Sequence, residues 1–221
     1  MKIIASAVLG LLAWAIFSAT PASATDLNLL GGPGGSYERI ECPVGSYMVG
    51  LDGMVGIWND RLSPLCSEFD TQLQRFRGGA NRQRWAGTSG GGNFEHGPCS
   101  NNEIVKRLTT GATRNDDNNP AFTQETGLGC VSYLAPDRLH ASVTLNGSAA
   151  SYFLWSESCP PGEVATGVAV RDGTFVDAIG LICGPPPQPH FVGSGPDPRN
   201  AEPAAKAGTH AKDISHLLHP H

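Results

Sequence analysis

Residues 42–66, CPVGSYMVGLDGMVGIWNDRLSPLC, and residues 159–183, CPPGEVATGVAVRDGTFVDAIGLIC, align over 25 positions without a gap. Seven positions are identical: Cys42/Cys159, Pro43/Pro160, Gly45/Gly162, Gly50/Gly167, Gly56/Gly173, Asp60/Asp177 and Cys66/Cys183. Trp58 matches Phe175 in kind, and Leu62 matches Ile179. Residues 99–130 form a looser third copy, lengthened by Asn115-Asp116-Asp117-Asn118-Asn119-Pro120. Its end, Gly127-Leu128-Gly129-Cys130, parallels Gly180-Leu181-Ile182-Cys183. The first cysteines stand at 42, 99 and 159, so the chain repeats itself at a period of just under sixty residues. A repeat of that kind is one structural unit that buries its apolar face against its copies.

Each unit reads as β. Gly34-Gly35-Ser36-Tyr37 and Gly91-Gly92-Asn93-Phe94 place an aromatic five residues before a first cysteine, and Gly147-Ser148-Ala149 before Tyr152 is a degenerate equivalent. Residues 27–30, 82–85 and 140–145 are short strand candidates upstream of these loops. Val164, Thr166, Val168 and Val170 alternate as they would on one face of a strand. The repeated glycines mark turns and bulges, and helical apolar spacing is scarce between residues 25 and 183. The expected fold is therefore all-β: a prism of three four-stranded, Greek-key-like repeats (about 26–66, 80–130 and 138–183) with pseudo-threefold symmetry.

The ends read differently. Lys2, an apolar run over residues 3–17 and Ala22-Ser23-Ala24 make residues 1–24 a signal peptide, with Thr25 the first mature residue. The run is too short to span a bilayer as a helix, for which about 20 residues are needed. Export to the periplasm or outside the cell makes disulfides possible. The six cysteines, Cys42, Cys66, Cys99, Cys130, Cys159 and Cys183, then read as three bridges, joining residues within repeats or between them. No C-x2-C pair suggests zinc. Residues 25–185 hold the folded domain; residues 186–221 are Pro- and His-rich, lack apolar periodicity and are expected to be disordered. Interspersed His190, His210, His216, His219 and His221 imply adventitious metal affinity at most, so no metal or cofactor is expected. A formal net charge of −5 gives no sign of nucleic-acid binding. Arg75, Arg77, Arg82 and Arg84 read as a solvated strand edge.

Gly173 to Asp177, followed by Ala178-Ile179-Gly180, resembles the closing G-x-x-x-D motif of jacalin-related lectins. Gly31-Gly32-Pro33-Gly34-Gly35 resembles their N-terminal glycine-rich loop. The disulfide-bearing threefold repeat is similar to vitelline membrane outer layer protein, another secreted β-prism, and that likeness favours pairing within repeats. The lectin resemblance implies a glycan or glycoconjugate as partner, held between a glycine-rich loop and a G-x-x-x-D loop. An ionised Asp would accept hydrogen bonds from sugar hydroxyls, while glycines let the backbone come close.

Two sites follow from the resemblance: Gly173, Phe175 and Asp177 beside Gly34 and Gly35, and Gly56, Trp58 and Asp60 beside Gly91 and Gly92. The third position is spoiled, because Gln124 stands where the others have Asp. The aspartates could instead cap turns, in which case the chain is a structural or protein-interaction prism of an envelope or extracellular layer. Catalysis lacks a constellation. Only His96 and His140 fall in the domain, His96 reads as a surface residue, and Asp60 and Asp177 stand in separate repeats, unlike a glycosidase pair. The expectation is a binding module, not an enzyme.

Overall fold

A computed structural model describes residues 24–188 apart from 89, 148 and 149, with only the backbone described for 140–142. Residues 1–23 of the expected signal peptide (1–24) and residues 189–221 of the expected tail lie outside the described residues. Among those described there are fourteen strands and no helix. In chain order they are β1 (Thr25–Asp26), β2 (Leu30–Gly31), β3 (Ser36–Glu41), β4 (Ser46–Val55), β5 (Asn59–Asp70), β6 (Arg75–Phe76) and β7 (Asn81–Arg82). There follow β8 (Asn93–Pro98), β9 (Glu103–Arg114), β10 (Pro120–Ser132), β11 (Leu139–Asn146), β12 (Phe153–Ser158), β13 (Val164–Asp172) and β14 (Val176–Gly184).

Three antiparallel sheets result. The third is ordered β11-β10-β9-β12, a hairpin flanked by the next two strands, which is a Greek key. The second repeats it as β6-β5-β4-β8, with β7 also on β5. The first, β1-β14-β13-β3 with β2 also on β14, is the same key assembled from the two ends of the domain. The sheets are therefore out of phase with the sequence repeats: the hairpin of each cysteine-bounded segment pairs with strands preceding the next cysteine.

Apolar faces of all three sheets meet on a common axis, through Val168, Ile179 and Leu181 from the first, Leu51, Val55 and Leu62 from the second, and Leu108, Leu128 and Leu145 from the third. The fold is the expected β-prism. One detail of alternation differs. A bulge between Ala165 and Gly167 shifts the phase of β13. Val168 and Val170 face the axis, Val164 joins a smaller cluster with Val49, Leu65, Ile104 and Val131, and the Thr166 hydroxyl turns to the Ile182 carbonyl (3.2 Å). Period-two patterning carries no mark of an inserted residue, so the four side chains do not share a face.

The disulfides are Cys42–Cys66, Cys99–Cys130 and Cys159–Cys183. Each lies within one sequence repeat but, because of the phase offset, joins two sheets. Cys42 extends the ladder of the first sheet and Cys66 lies in the second; Cys99 and Cys130 tie second to third, and Cys159 and Cys183 tie third to first. Loops of this size are worth roughly 2–4 kcal/mol each in lost unfolded-state entropy.

Candidate functional site

The tips of the three hairpins carry the residues singled out above. At the first sheet's tip the Gly173 amide donates to the Phe175 carbonyl (3.0 Å), and at the second sheet's tip the Gly56 amide donates to the Trp58 carbonyl (3.0 Å). The two loops are thus built alike. Against each lies a glycine-rich segment. Gly35 (φ +69°) packs on the backbone of Asp172, and Gly92 (φ +77°) packs on Val55, the equivalent residue one repeat away. Both left-handed conformations exclude an ordinary side chain. A Cβ on Gly34 would collide with the Asp177 carboxylate, and one on Gly56 would lie 3.0 Å from Asp60 Oδ2 and 3.3 Å from Gly92. Gly91 belongs to the same loop as Gly92.

The two carboxylates are nearly enclosed, with Asp177 8% and Asp60 6% exposed. Among the described residues no side chain or amide donates to the Asp177 carboxylate, and Asp60 Oδ2 is buried without a partner. Burial pushes the Asp177 carboxyl above the usual range, Asp172 adds to the rise, and Arg171 partly opposes it. An unsatisfied buried acceptor costs about 1–3 kcal/mol, more when charged; Asp60 Oδ2 is such an atom, while Asp177 lacks a donor from the described residues without being sealed from solvent. The reading of these aspartates as turn caps requires bonds to nearby amides; no such bond is present for Asp177, nor for Asp60 Oδ2.

The third hairpin is closed by its own side chains. Gln124 donates to the Gly147 carbonyl (3.4 Å) and accepts from Ser151 Oγ (3.2 Å), and the Gly147 amide donates to the Gln124 carbonyl (2.7 Å).

Trp58 and Phe175 do not stand apart, each in its own position. They meet at 4.8 Å between ring centroids, and Phe122 completes a triangle at 5.0 and 5.3 Å. Phe122 precedes Gln124 by two residues, as Trp58 and Phe175 precede their aspartates, so the three rings come from equivalent positions of the three hairpins. All three are half-buried. Residues pointing toward the axis at a threefold end must meet, and the repeat alignment held that information for Phe122.

Around this trio each glycine-rich segment also leans on a neighbouring sheet's tip. A Cβ on Gly32 would strike the Ala121 carbonyl, and one on Gly147 would sit 2.6 Å from the Ile57 carbonyl. The Thr88 amide donates to the Thr174 carbonyl (3.3 Å), and the Gly87 amide to Asp172 Oδ2 (2.6 Å). The aromatics left at the surface beside the glycine loops are Tyr37 and Phe94, each about half exposed.

A groove of about 450 Å³ runs beside the Gly34/Asp177 position, lined by Gly31, Gly32, Pro33, Arg171 and, from the insertion, Asn115 and Asn119. A larger cleft of about 860 Å³, bordered by Arg77, His96 and Asn102, contains none of the residues named for either site.

The four arginines are exposed, Arg75 and Arg82 on the short outer strands β6 and β7, and three of them are also ion-paired. Arg82 binds the fully buried Asp52 through Nε (2.6 Å), Arg77 binds Asp70 (3.1 Å), and Arg84 pairs with Glu38. His96, expected as a plain surface residue, holds Asp52 Oδ1 through Nδ1 (2.6 Å). A buried carboxylate needs such partners, and its place opposite His96 is set by strand register. Backbone amides of Leu73 and Gln72, with Arg77, hold the Asp70 carboxyl below its usual range.

No family model matches the chain, and no curated protein matches it. Among solved structures, an agglutinin from Calystegia sepium covers 74% of this chain and 97% of its own at 18% identity and a TM-score of 0.52. Malaysian banana lectin covers 74% and 99% at 16% identity and a TM-score of 0.53. A mannose-specific jacalin-related lectin from Morus nigra, solved in complex with mannose, covers 76% and 97% at 12% identity and a TM-score of 0.51. By architecture this is a disulfide-bonded β-prism protein. Within that class its fold is that of the jacalin-related lectins.

Proposed function

We propose that this chain is an exported, non-catalytic carbohydrate-binding module, with binding positions at Gly34, Gly35, Gly173 and Asp177 and at Gly56, Gly91, Gly92 and Asp60. The reading rests on one observation. Two nearly buried carboxylates hold oxygens without donors, each against a glycine loop that a side chain would obstruct. A sugar hydroxyl donates to such an oxygen through a charge-assisted bond and accepts from nearby backbone amides. Phe175 and Trp58 support the two tips from the axis; the half-exposed rings beside the loops are Tyr37, whose hydroxyl donates to Asp26 (3.1 Å), and Phe94, with the Arg82 guanidinium 5.0 Å from its centroid. Solved structures similar in fold include a lectin in complex with mannose and one in complex with a biantennary N-glycan. Three disulfides agree with export.

The test is a glycan-array screen of the oxidised exported chain beside the Asp60→Ala/Asp177→Ala double variant. Binding by the parent and its loss in a folded variant supports the reading and names the sugar class. A folded parent that binds nothing overturns it in favour of a structural prism.

A further inference from the structure

The chain's leader ends, by its Ala22-Ser23-Ala24 motif, one residue before the first strand begins at Thr25. Thr25 pairs with Cys183 in the ladder, and its hydroxyl donates to Glu163 Oε1 (3.5 Å). The other carboxylate oxygen, Glu163 Oε2, is buried and has no partner among the described residues. Glu163 is held firmly. Its amide closes the turn to Pro160 (3.0 Å), next to the Cys159–Cys183 bridge, and the buried Lys106 ammonium donates to the Pro160 and Glu163 carbonyls (2.7 and 2.6 Å). Lys106 donates to those carbonyls and lies 3.8 Å from Asp137 Oδ1; its link to the Glu163 carboxylate is through space only.

A buried carboxylate oxygen without a donor is costly. The Thr25 nitrogen stands in the ladder opposite Cys183, on the same residue as the hydroxyl that reaches Glu163, and as an amide it carries a single hydrogen. In the precursor, Thr25 N is a neutral amide. Hydrolysis of the Ala24–Thr25 peptide bond by a leader endopeptidase adds one water, leaving a carboxylate on Ala24 and a free amine on Thr25, which is protonated at neutral pH. That nitrogen is three bonds from the Thr25 hydroxyl already on Glu163.

We infer that leader removal at Ala24–Thr25 creates an ion pair between the new Thr25 α-ammonium and Glu163, so that maturation completes the first sheet's edge. The pair fastens β1 to the turn 160–163, across the junction where the two ends of the domain meet. This inference is independent of any sugar binding.

The test uses the exported chain as isolated. Intact mass must place its first residue at Thr25. Reductive 13C-methylation then labels the α-amine and the three remaining lysines, Lys106, Lys206 and Lys212, and an NMR titration follows each. The Thr25 amine should titrate above the ordinary α-amine range of about 7.7–8.0. The chain's α-amine should titrate within that range in Glu163→Gln, and so should the alanine α-amine of a chain extended by two alanines before Thr25, which leaves Glu163 intact should the first variant fold poorly. A group whose folded pKa is raised stabilises fully below its unfolded pKa and loses that effect as pH rises through the folded one. The natural chain should therefore melt a few degrees above the extended chain at pH 6, with the gap closing by about pH 10. A first residue other than Thr25, or an α-amine that titrates alike in all three chains, overturns the inference.

Discussion

The first and third sheets present the same hairpin position in opposite states. In the third, Gln124 brings its own donor and acceptor and uses both, on the Gly147 carbonyl and the Ser151 hydroxyl. In the first, Asp177 can only accept, and the loop facing it offers Gly34, which has no side chain to donate. Both sheets share one strand order, although the third hairpin is lengthened by residues 115–120. What differs is whether the polar atoms at the tip are satisfied from within. A position that satisfies itself has nothing to give a ligand, whereas one left with an unmet acceptor is available to an incoming donor. The second sheet sides with the first, since Asp60 Oδ2 is likewise unmet.

The strongest way to break this comparison is to remove both acceptors. Asp60→Ala/Asp177→Ala should weaken glycan binding at each position by about tenfold to somewhat over a hundredfold, one carboxylate bond contributing about 1.5–3 kcal/mol. Isothermal titration against the array's best sugar reads it, and the thermal midpoint should not fall, because no native partner is lost.

Trp58→Ala should act differently. It opens the aromatic trio shared by all three tips, costs about 2–4 kcal/mol in denaturant unfolding, and weakens both positions together. If one position kept its full affinity, the trio would not be the common support.

Gly34→Ala separates the two positions. The added methyl meets the Asp177 carboxylate, so affinity at the first position should drop about tenfold or more while the second is unchanged. In an Asp60→Ala background, where only the first position remains, the same change should leave no measurable binding.

Acidity sharpens the comparison further. Asp177 titrates above an ordinary carboxyl because of its burial. Its folded form binds a proton more readily than its unfolded form, so this group makes stability fall as pH rises through the window from the unfolded value of 3.8 to its raised one. Asp177→Asn should therefore be more stable than the natural chain at neutral pH and lose that advantage below about pH 4. Sugar affinity in Asp60→Ala should show the opposite trend, weakening on acidification as the acceptor is neutralised.

The smallest effect belongs to Gln124→Ala. It removes the internal staple, costs about 1 kcal/mol, and creates no third binding position. New binding there would show that the aspartate is dispensable.

The repeat in the sequence was enough for the fold, because seven identities in 25 aligned positions define a unit, and three amphipathic β units have few ways to hide their apolar faces. The glycine loops and G-x-x-x-D hairpins were legible too, and they lie side by side in the first two sheets. Other features were decided only in three dimensions. Whether a cysteine pair binds one sheet or two depends on the phase between sequence repeat and sheet, which is set by long-range strand pairing. Trp58, Phe122 and Phe175 meet because each tip turns its ring toward the axis. Asp52 gathers Arg82 and His96 because a buried charge draws its partners from neighbouring strands whose register no local pattern encodes. Sequence periodicity records which way a side chain points along its own strand; what it meets there belongs to the pairing of distant segments.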